Sequence, residues 1–226
     1  MSGKSNREEL PLMRGLPKAD DSAARELILA SGSPRRSELM AAAGYRFRVV
    51  LPDDAAEDLP RPGEPAEVVV KRLAFQKGAD VASRLPSGWV IAADTIGVCD
   101  HILLGKPADA DDARRMLRLL RGREHHVLTG ICLWDVEESR RVIEAVRTDL
   151  AMDSISDAEI ERYIETDRWR GKAAGFGYQD ANDWLRVLPG GSESNVVGLP
   201  MERLAYWLQR PEAWPRVSDT GAGSLR

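Results

Sequence analysis

The 226-residue sequence has little cysteine and no long hydrophobic run. Its two cysteines, Cys99 and Cys132, stand in apolar, strand-like stretches and match no zinc-binding spacing, so we expect reduced packing residues rather than a disulfide. No apolar run approaches the roughly 18 residues that a membrane span needs. The N-terminus also lacks an apolar signal core. We therefore expect a cytoplasmic protein that does not enter a membrane.

An excess of positive charge is missing as well. Lysine and arginine total 32 against 36 acidic residues, which gives a net charge of −4. A general nucleic-acid binder is usually basic over its surface, so we expect no stable nucleic-acid binding. Any anionic ligand would have to be held by a local site. The hydrophobic share of 43% is that of an ordinary globular protein, and the length suffices for one well-packed domain.

Helix-like and strand-like patterns alternate along the chain. Strands are predicted at 27–30, 46–51, 89–98, 125–134 and 141–152, with a weaker one at 183–188. Helices are predicted at 34–43, 65–84, 109–121, 156–165 and 201–209. Breaks in the pattern at 100–101 and 137–139 predict two hairpins. Helices between the early strands and hairpins between the later ones indicate an α/β domain with a mixed sheet.

The ends of the chain differ in composition from this central part. Residues 1–24 are polar and without period, and we expect a mobile N-terminal extension there. The domain is placed at 25–209. Residues 210–226 form a similar tail, in which Trp214 is a candidate for local docking.

The segment Ala-Ser-Gly-Ser-Pro-Arg-Arg at 30–36 directly follows a short apolar run. Ser33 is a favoured N-cap, and the proline after it suits the first position of a helix. Arg35 and Arg36 would then lie at the helix end that already carries partial positive charge. Two guanidinium groups, free backbone N–H groups and the hydroxyls of Ser31 and Ser33 favour a bound polyanion. A basic surface turn without a ligand is the alternative on this stretch alone.

Two acidic residues are candidates for chemistry. Asp94 lies within the apolar run 91–96, where an unpaired carboxylate is costly. It should therefore stand at a strand end, be paired, or bind a metal; an aspartate that caps a turn is the alternative. Glu57 lies in the acidic loop 53–58, and such loops are most often simply solvated. If this loop folds over the basic helix terminus, Glu57 and Asp94 could share a divalent cation with a phosphate chain.

The chain uses lysine sparingly, with six residues in all. Lys77 lies in the helical pattern at 65–84, and Lys106 lies in a Gly-Lys-Pro turn. A lysine supplies a compact point charge where arginine supplies a planar fork, so the few positions that carry lysine are candidates for a charged site.

The glycine-rich segment 172–179 ends in the amide of Gln179. It is not a dinucleotide fingerprint, because no strand precedes it.

Six motifs together resemble the Maf family of nucleoside triphosphate pyrophosphatases over about residues 27–208. They are Ser31–Arg36, Ala93–Thr95, Gly105–Pro107, Gly122–Gly130, Lys172–Gln179 and Ser194–Pro200. The resemblance implies the fold of inosine triphosphate pyrophosphatases: a mixed twisted sheet flanked by helices, in two lobes with a cleft. It also implies a homodimer that hydrolyses a nucleoside triphosphate to monophosphate and pyrophosphate with Mg²⁺ or Mn²⁺.

The resemblance further implies roles for individual residues. Asp94 would be the proton acceptor, and Glu57 and Asp94 would hold the metal. Lys77 and Lys106 would complete the charged site. The phosphate cradle would be lined by Ser31, Ser33 and Arg36.

Selectivity is implied by a second set of positions. Arg35, Thr95 and Gln179 stand where the dTTP/UTP-selective branch of the family keeps its specificity residues. The chain departs from the family pattern at Ala56, His101, Arg168, Ala174, Tyr178 and Asp180. Most of these departures cluster near the expected base-recognition loop and so bear on selectivity more than on the chemistry.

Two other functions are compatible with the same motifs. One is a pyrophosphatase of broad or modified-purine specificity, which a substrate panel separates from the pyrimidine enzyme. The other is a non-catalytic nucleotide-binding regulator of septum formation. Asp94, Lys77 and Lys106 favour an enzyme, because a pure binder needs no base beside the phosphates.

Overall fold

The computed structural model describes residues 15–19, 25–53, 58, 60–61, 63–180 and 183–217. Within them, seven strands form one sheet: β1 (Leu27–Ala30), β2 (Phe47–Val49), β3 (Trp89–Cys99), β4 (Ile102–Leu104), β5 (Glu124–Asp135), β6 (Arg140–Met152) and β7 (Leu185–Val187). The strand order is β2-β1-β3-β5-β6-β7, and β4 also pairs with β3. β1 runs parallel to β2 and β3, and the remaining pairs are antiparallel. The predicted mixed α/β sheet is confirmed.

Helices connect or cover these strands. They are α1 (Pro34–Ala42), α2 (Ala66–Ser83), α3 (Ala110–Leu120), α4 (Asp157–Glu165), α5 (Glu193–Val197) and α6 (Met201–Leu208). Local sequence explains several of their starts: α1 begins with proline after Ser33, Asp109 caps α3, and Ser156 forms a capping box with Glu159. Each predicted helix is found within one residue of its predicted bounds. α5 was not predicted, since five residues are too few to show a period.

Both predicted hairpins are present. Asp100 and His101 connect β3 to β4 with φ of 47° and 66°, the left-handed conformation that a tight hairpin turn requires at both central residues. The longer turn between β5 and β6 includes Ser139, with φ of 50°.

Helices cover both faces of the sheet and divide it into two lobes. In β1, Leu29 faces a core that includes Leu39 of α1 and Leu204 of α6, whereas Ile28 faces α2 on the opposite side. Farther along β5 and β6, helices α3 and α4 enclose a second core around Trp169. The two cores meet along β3, which therefore belongs to both lobes.

α2 approaches the sheet unusually closely at Gly130 of β5. A Cβ atom at this position would lie 2.1 Å from the carbonyl oxygen of Val70. Glycine is therefore required here, since no other residue leaves room for the helix backbone. Gly130 pairs directly with Asp94 of β3. The contact consequently brings the middle of α2 over the acidic residue of the neighbouring strand.

Parts of both predicted terminal segments pack on the domain. Leu16 is buried in the core beside α1, and the N–H of Ala19 donates to the carbonyl of Ala43 at 2.8 Å. Trp214 is 1% exposed, stacks at an angle on Trp89, and donates from its indole N–H to the carbonyl of Trp207 at 3.0 Å.

Cys99 and Cys132 are both buried and unbridged, as predicted. Among the described residues, no helix is long and apolar enough to cross a membrane.

Candidate active site

A cleft of about 530 Å³ opens where the pairing of β3 is interrupted. β1 pairs with the first part of β3 up to Ala92, and β4 pairs along the same edge from Gly97 onward. Asp94 and Thr95 lie in the gap between the two partners and line the cleft. The carboxyl end of β1 meets the same gap, and the chain leaves β1 and β2 toward opposite faces of the sheet. Crevices at such switch points are the usual ligand sites of open α/β sheets.

The N-terminus of α1 forms one wall of the cleft. Ser31 Oγ accepts hydrogen bonds from the N–H of Ser33 at 3.2 Å and from Arg36 Nη1 at 3.0 Å. Arg36 also donates to the carbonyl of Gly198 at 2.8 Å and to Thr95 Oγ1 at 3.2 Å. Its guanidinium therefore braces β1, β3 and the end of α5 against one another. This bracing role was not part of the sequence prediction, which placed Arg36 in the phosphate cradle.

Asp94 and Lys77 form an ion pair at the base of the cleft. The strand alternation directs Asp94 toward α2, which carries Lys77. Their atoms Oδ1 and Nζ are 2.6 Å apart, with 14% and 7% of the two side chains exposed. The expectation that a carboxylate in this apolar strand must be paired is confirmed. Lys106, in the turn after β4, lines the same cleft and is exposed.

Thr95 points to the opposite face of β3 and forms part of the cleft floor. Its hydroxyl lies 3.0 Å from Thr129 Oγ1 and 3.4 Å from the carbonyl oxygen of Gly198. Thr129 in turn donates to the carbonyl of Asn195 at 3.3 Å. The short helix α5 is thereby held to the sheet through side-chain hydroxyls.

The glycine-rich loop at 171–180 forms the other wall. Arg35 reaches across from α1 and donates to the carbonyl of Gly171 at 3.0 Å; its burial lowers the pKa of the Arg35 guanidinium. Ala174 has φ of 58°, so this departure keeps a glycine-like backbone, and its N–H donates to the carbonyl of Gly105 at 2.8 Å. Gln179 lines the cleft, and its Nε2 is buried without a hydrogen-bond partner among the described residues.

The residues around Asp94 fit a divalent cation that arrives with a phosphate chain. Among the described residues that line the cleft, Asp94 alone carries a carboxylate, and one of its oxygens is bonded to Lys77. No cluster of three metal-ligating side chains occurs in the described part of the chain. Mg²⁺ commonly binds through one or two carboxylates and completes its shell with water and phosphate oxygens. Glu57, the other predicted ligand, lies outside the described residues.

The structure brings the remaining nine predicted site residues together in this one cleft: Ser31, Ser33, Arg35, Arg36, Lys77, Asp94, Thr95, Lys106 and Gln179. No site role was predicted for four further groups that line the cleft or contact its floor: Arg170, Lys172, Tyr178 and the carbonyl of Gly198. The scarcity of lysine was a usable signal for Lys172, whereas nothing in the sequence pattern distinguishes Arg170 from other surface arginines.

Proteins with similar sequences show the family of this chain. The family model described as Maf-like protein matches residues 26–211. A dTTP/UTP pyrophosphatase of Rhodopirellula baltica is 50% identical over 197 residues, which are 87% of each chain. Proteins of the same name from Myxococcus xanthus and Dictyoglomus thermophilum are 42% and 40% identical, over 81% and 82% of this chain and 91% and 96% of their own.

A solved structure from Mycobacterium abscessus, described as nucleoside-triphosphatase / dITP/XTP pyrophosphatase, covers 83% of this chain and 96% of its own. It matches with 17% identity and a TM-score of 0.38, a likeness too weak to support an assignment. The assignment rests instead on the family model, which spans most of the chain, and on relatives at 40–50% identity. The chain belongs to the Maf family.

Proposed function

We propose that the protein hydrolyses dTTP or UTP to the nucleoside monophosphate and pyrophosphate. The observation that carries this proposal is the Asp94–Lys77 pair, 2.6 Å apart at the base of a cleft whose other charged walls are cationic. Relatives at 40–50% identity, of which the chain covers most of the length, are named dTTP/UTP pyrophosphatases.

The triphosphate binds at the cationic end of the cleft. The N-terminus of α1 presents backbone N–H groups, and Arg35, Lys106 and Arg170 place positive charge around it. Phosphoryl chemistry asks mainly for positioning and for neutralisation of charge on the phosphate oxygens. Arg36 contributes by holding the serine-rich turn, the floor at Thr95 and the carbonyl of Gly198 in one arrangement.

Asp94 acts as the general base. Its carboxylate orients the attacking water and accepts a proton from it, while Lys77 fixes the orientation of the carboxylate. Asp94, and Glu57 as the resemblance implies, would hold Mg²⁺ or Mn²⁺, which would further neutralise the phosphate oxygens.

Gln179 recognises the base. An amide offers a donor and an acceptor, which match the O4 and N3–H edge of uracil or thymine. Its Nε2 is buried without a partner among the described residues, and a buried donor left unpaired is costly. A pyrimidine carbonyl would satisfy it. Thr95 in the floor and Arg35 at the wall line the same cleft as Gln179.

A product analysis tests the proposal. Purified protein is incubated with UTP, dTTP, CTP, GTP and ATP in the presence of Mg²⁺, and the products are separated. We expect UMP and pyrophosphate from UTP, and hydrolysis of UTP and dTTP at least about 10-fold faster than that of the purine triphosphates. Release of UDP and phosphate contradicts the proposed bond cleavage. Equal rates for GTP and UTP contradict only the pyrimidine selectivity and favour a broad-specificity pyrophosphatase.

The same proposal includes a homodimer and a cytoplasmic location. Family membership supports the dimer, and the two buried, unbridged cysteines agree with a reducing compartment. Light scattering on the purified protein tests the dimer, for which a mass near twice the 25.0 kDa of one chain is expected. A mass near 25.0 kDa contradicts it.

A further inference from the structure

Asp180 is the last residue of the glycine-rich 171–180 loop and the centre of a hydrogen-bonded network. Both of its carboxylate oxygens accept from Lys172 Nζ, and Oδ2 also accepts from the hydroxyl of Tyr163 at 2.6 Å. Its backbone carbonyl accepts from Arg168 Nη1 at 3.0 Å. The network thus ties the end of the loop to its beginning, to helix α4 and to the turn that follows α4.

The ion pair lies directly against the loop backbone. A Cβ atom at Gly177 would stand 2.4 Å from Lys172 Nζ and 2.5 Å from Asp180 Oδ2. The pair therefore packs directly on the backbone at Gly177, and a side chain at this position would displace the two charged groups. The side chains of Lys172 and Asp180 are 13% and 9% exposed, so the pair is largely withdrawn from solvent.

A buried ion pair of this kind contributes little net stability, because desolvation offsets most of the attraction between the charges. Its best-attested use is to fix one arrangement among several that are otherwise similar in energy. In this loop the ion pair fixes Asp180, the residue that follows Gln179. On the other side of Gln179, the hydroxyl of Tyr178 donates to Glu193 of α5 at 2.8 Å. The amide of Gln179 therefore extends into the cleft from a backbone anchored at both neighbours.

We propose that Asp180 is a positioning residue for base selectivity, which holds the 171–180 loop so that Gln179 meets the pyrimidine edge. The inference rests on the proposed function. It extends that function to Asp180, whose carboxylate accepts hydrogen bonds from Lys172 of the loop and Tyr163 of α4. Asp180 acts through Gln179, and displacing a binding group by about 1 Å is enough to lower activity strongly.

Kinetics of four variants test the inference. Asp180→Ala removes the carboxylate, Asp180→Asn keeps an acceptor without charge, and Tyr163→Phe removes one bond to Asp180 from outside the cleft. Asp157→Asn is the matched control, because it breaks the ion pair between Asp157 of α4 and Arg121, which follows α3. We measure kcat and KM for UTP and GTP, and the melting temperature of each variant.

For Asp180→Ala we expect the ratio of kcat/KM for UTP over GTP to fall about 10-fold or more, mainly through a higher KM for UTP. Tyr163→Phe and Asp180→Asn should shift the ratio in the same direction by less, and Asp157→Asn should leave it unchanged. A merely structural residue would lower UTP and GTP hydrolysis together. An unchanged ratio in folded Asp180→Ala therefore overturns the inference; if that variant does not fold, an unchanged ratio in both Asp180→Asn and Tyr163→Phe does so.

Binding of UMP, measured by calorimetry, separates this inference from the proposed function. We expect Asp180→Ala to bind UMP about 10-fold more weakly than the wild-type protein, with Asp157→Asn unaffected. If the wild-type protein hydrolyses no triphosphate, the proposed function fails while the UMP comparison still decides the role of Asp180. Equal affinity of wild type and Asp180→Ala for UMP overturns the inference.

Discussion

At the scale of single residues, Gln179 is the group that we propose for recognition of the base. Gln179 keeps a buried Nε2 without a partner among the described residues, and we assign that donor to the O4 carbonyl of uracil or thymine. Replacing Gln179 by glutamate removes the donor and adds a charge opposite the base carbonyl. We expect kcat/KM for UTP and dTTP to fall about 10-fold or more, because a site built for hydrogen bonds rejects a mismatched partner. Steady-state kinetics on both substrates measure the effect.

Gln209→Glu is the matched control for this variant, since it introduces the same charge at an exposed position after α6. It should retain the kinetics of the wild-type protein. If Gln179→Glu also retains them, Gln179 does not contact the base.

A buried histidine gives the protein a pH-dependent stability. Burial lowers the pKa of His125 to about 4, and its ring stands edge-on to Phe176 with its Nε2 unpaired among the described residues. The unfolded chain takes up this proton near pH 6.5, so below that pH the unfolded state binds more protons than the folded one. The free energy of unfolding therefore falls as the pH drops from 6.5 toward 4.

We expect His125 to contribute up to about 1.4 kcal/mol per pH unit to this fall. Urea unfolding of the wild-type protein and His125→Gln at pH 6.5, 5.8 and 5.0 measures it. The variant should show a shallower pH dependence, and His101→Gln, which changes an exposed histidine in the β3–β4 turn, should follow the wild type. Identical slopes for wild type and His125→Gln would refute the assignment.

The sequence predicted the role of a residue where that role follows from its immediate neighbours in the chain. It did not do so where the role depends on contacts with distant residues. Asp94 was predictable because a carboxylate in an apolar strand must be paired or bound, and the structure pairs it with Lys77. The Lys172–Asp180 pair was not, because two residues eight apart in a loop follow no period. The bracing role of Arg36 was hidden for a similar reason, since its partner Gly198 lies 162 residues away.

Helices and strands were predictable from the sequence where they were long or were bounded by recognisable turn residues. Helix α2, with 18 residues, and strand β6, with 13 residues, are long enough to be recognised in the sequence. The β3–β4 turn was marked by an Asp-His pair between apolar runs. α5, with five residues, is fixed instead by a serine cap and by contacts with β5 and β6. Those contacts are tertiary and leave no signal in the local sequence.

The close approach of α2 to β5 gives a prediction for an element. Gly130→Ala places a methyl group where the carbonyl of Val70 already stands, 2.1 Å from the added Cβ atom. The helix must move away from the sheet, so we expect the free energy of unfolding to fall by about 2 kcal/mol or more. Lys77 should also separate from Asp94, so that activity falls even in the folded fraction. Urea unfolding and UTP hydrolysis measure the two effects.

Gly15→Ala provides the control for this variant, because a Cβ atom there meets nothing within 4 Å. It should leave stability and activity unchanged. If Gly130→Ala is as stable as Gly15→Ala, the packing of α2 tolerates a side chain at 130 and does not constrain the position of Lys77.

At the scale of the whole molecule, the cleft exists because β3 has two partners on one edge with a gap between them. The pairing of β1 with β3 ends at Ala92, and the pairing of β4 begins at Gly97. Asp94 and Thr95 are left to line the space between them. The order of strands and helices could be predicted from periodicity. The gap could not, because it depends on which part of an 11-residue strand each neighbour pairs with. The family motifs led to its residues without showing how the fold assembles them.

The central claim is that Asp94 performs the chemistry in this cleft, and substitution by asparagine tests it most directly. Asp94→Asn keeps the size of the side chain and removes the base. The rate of pyrophosphate release from UTP is measured for folded wild type, Asp94→Asn and the control Asp149→Asn, which neutralises an exposed carboxylate on β6. We predict a loss of at least about two orders of magnitude for Asp94→Asn alone. Pyrophosphate release by folded Asp94→Asn at the wild-type rate would contradict the account.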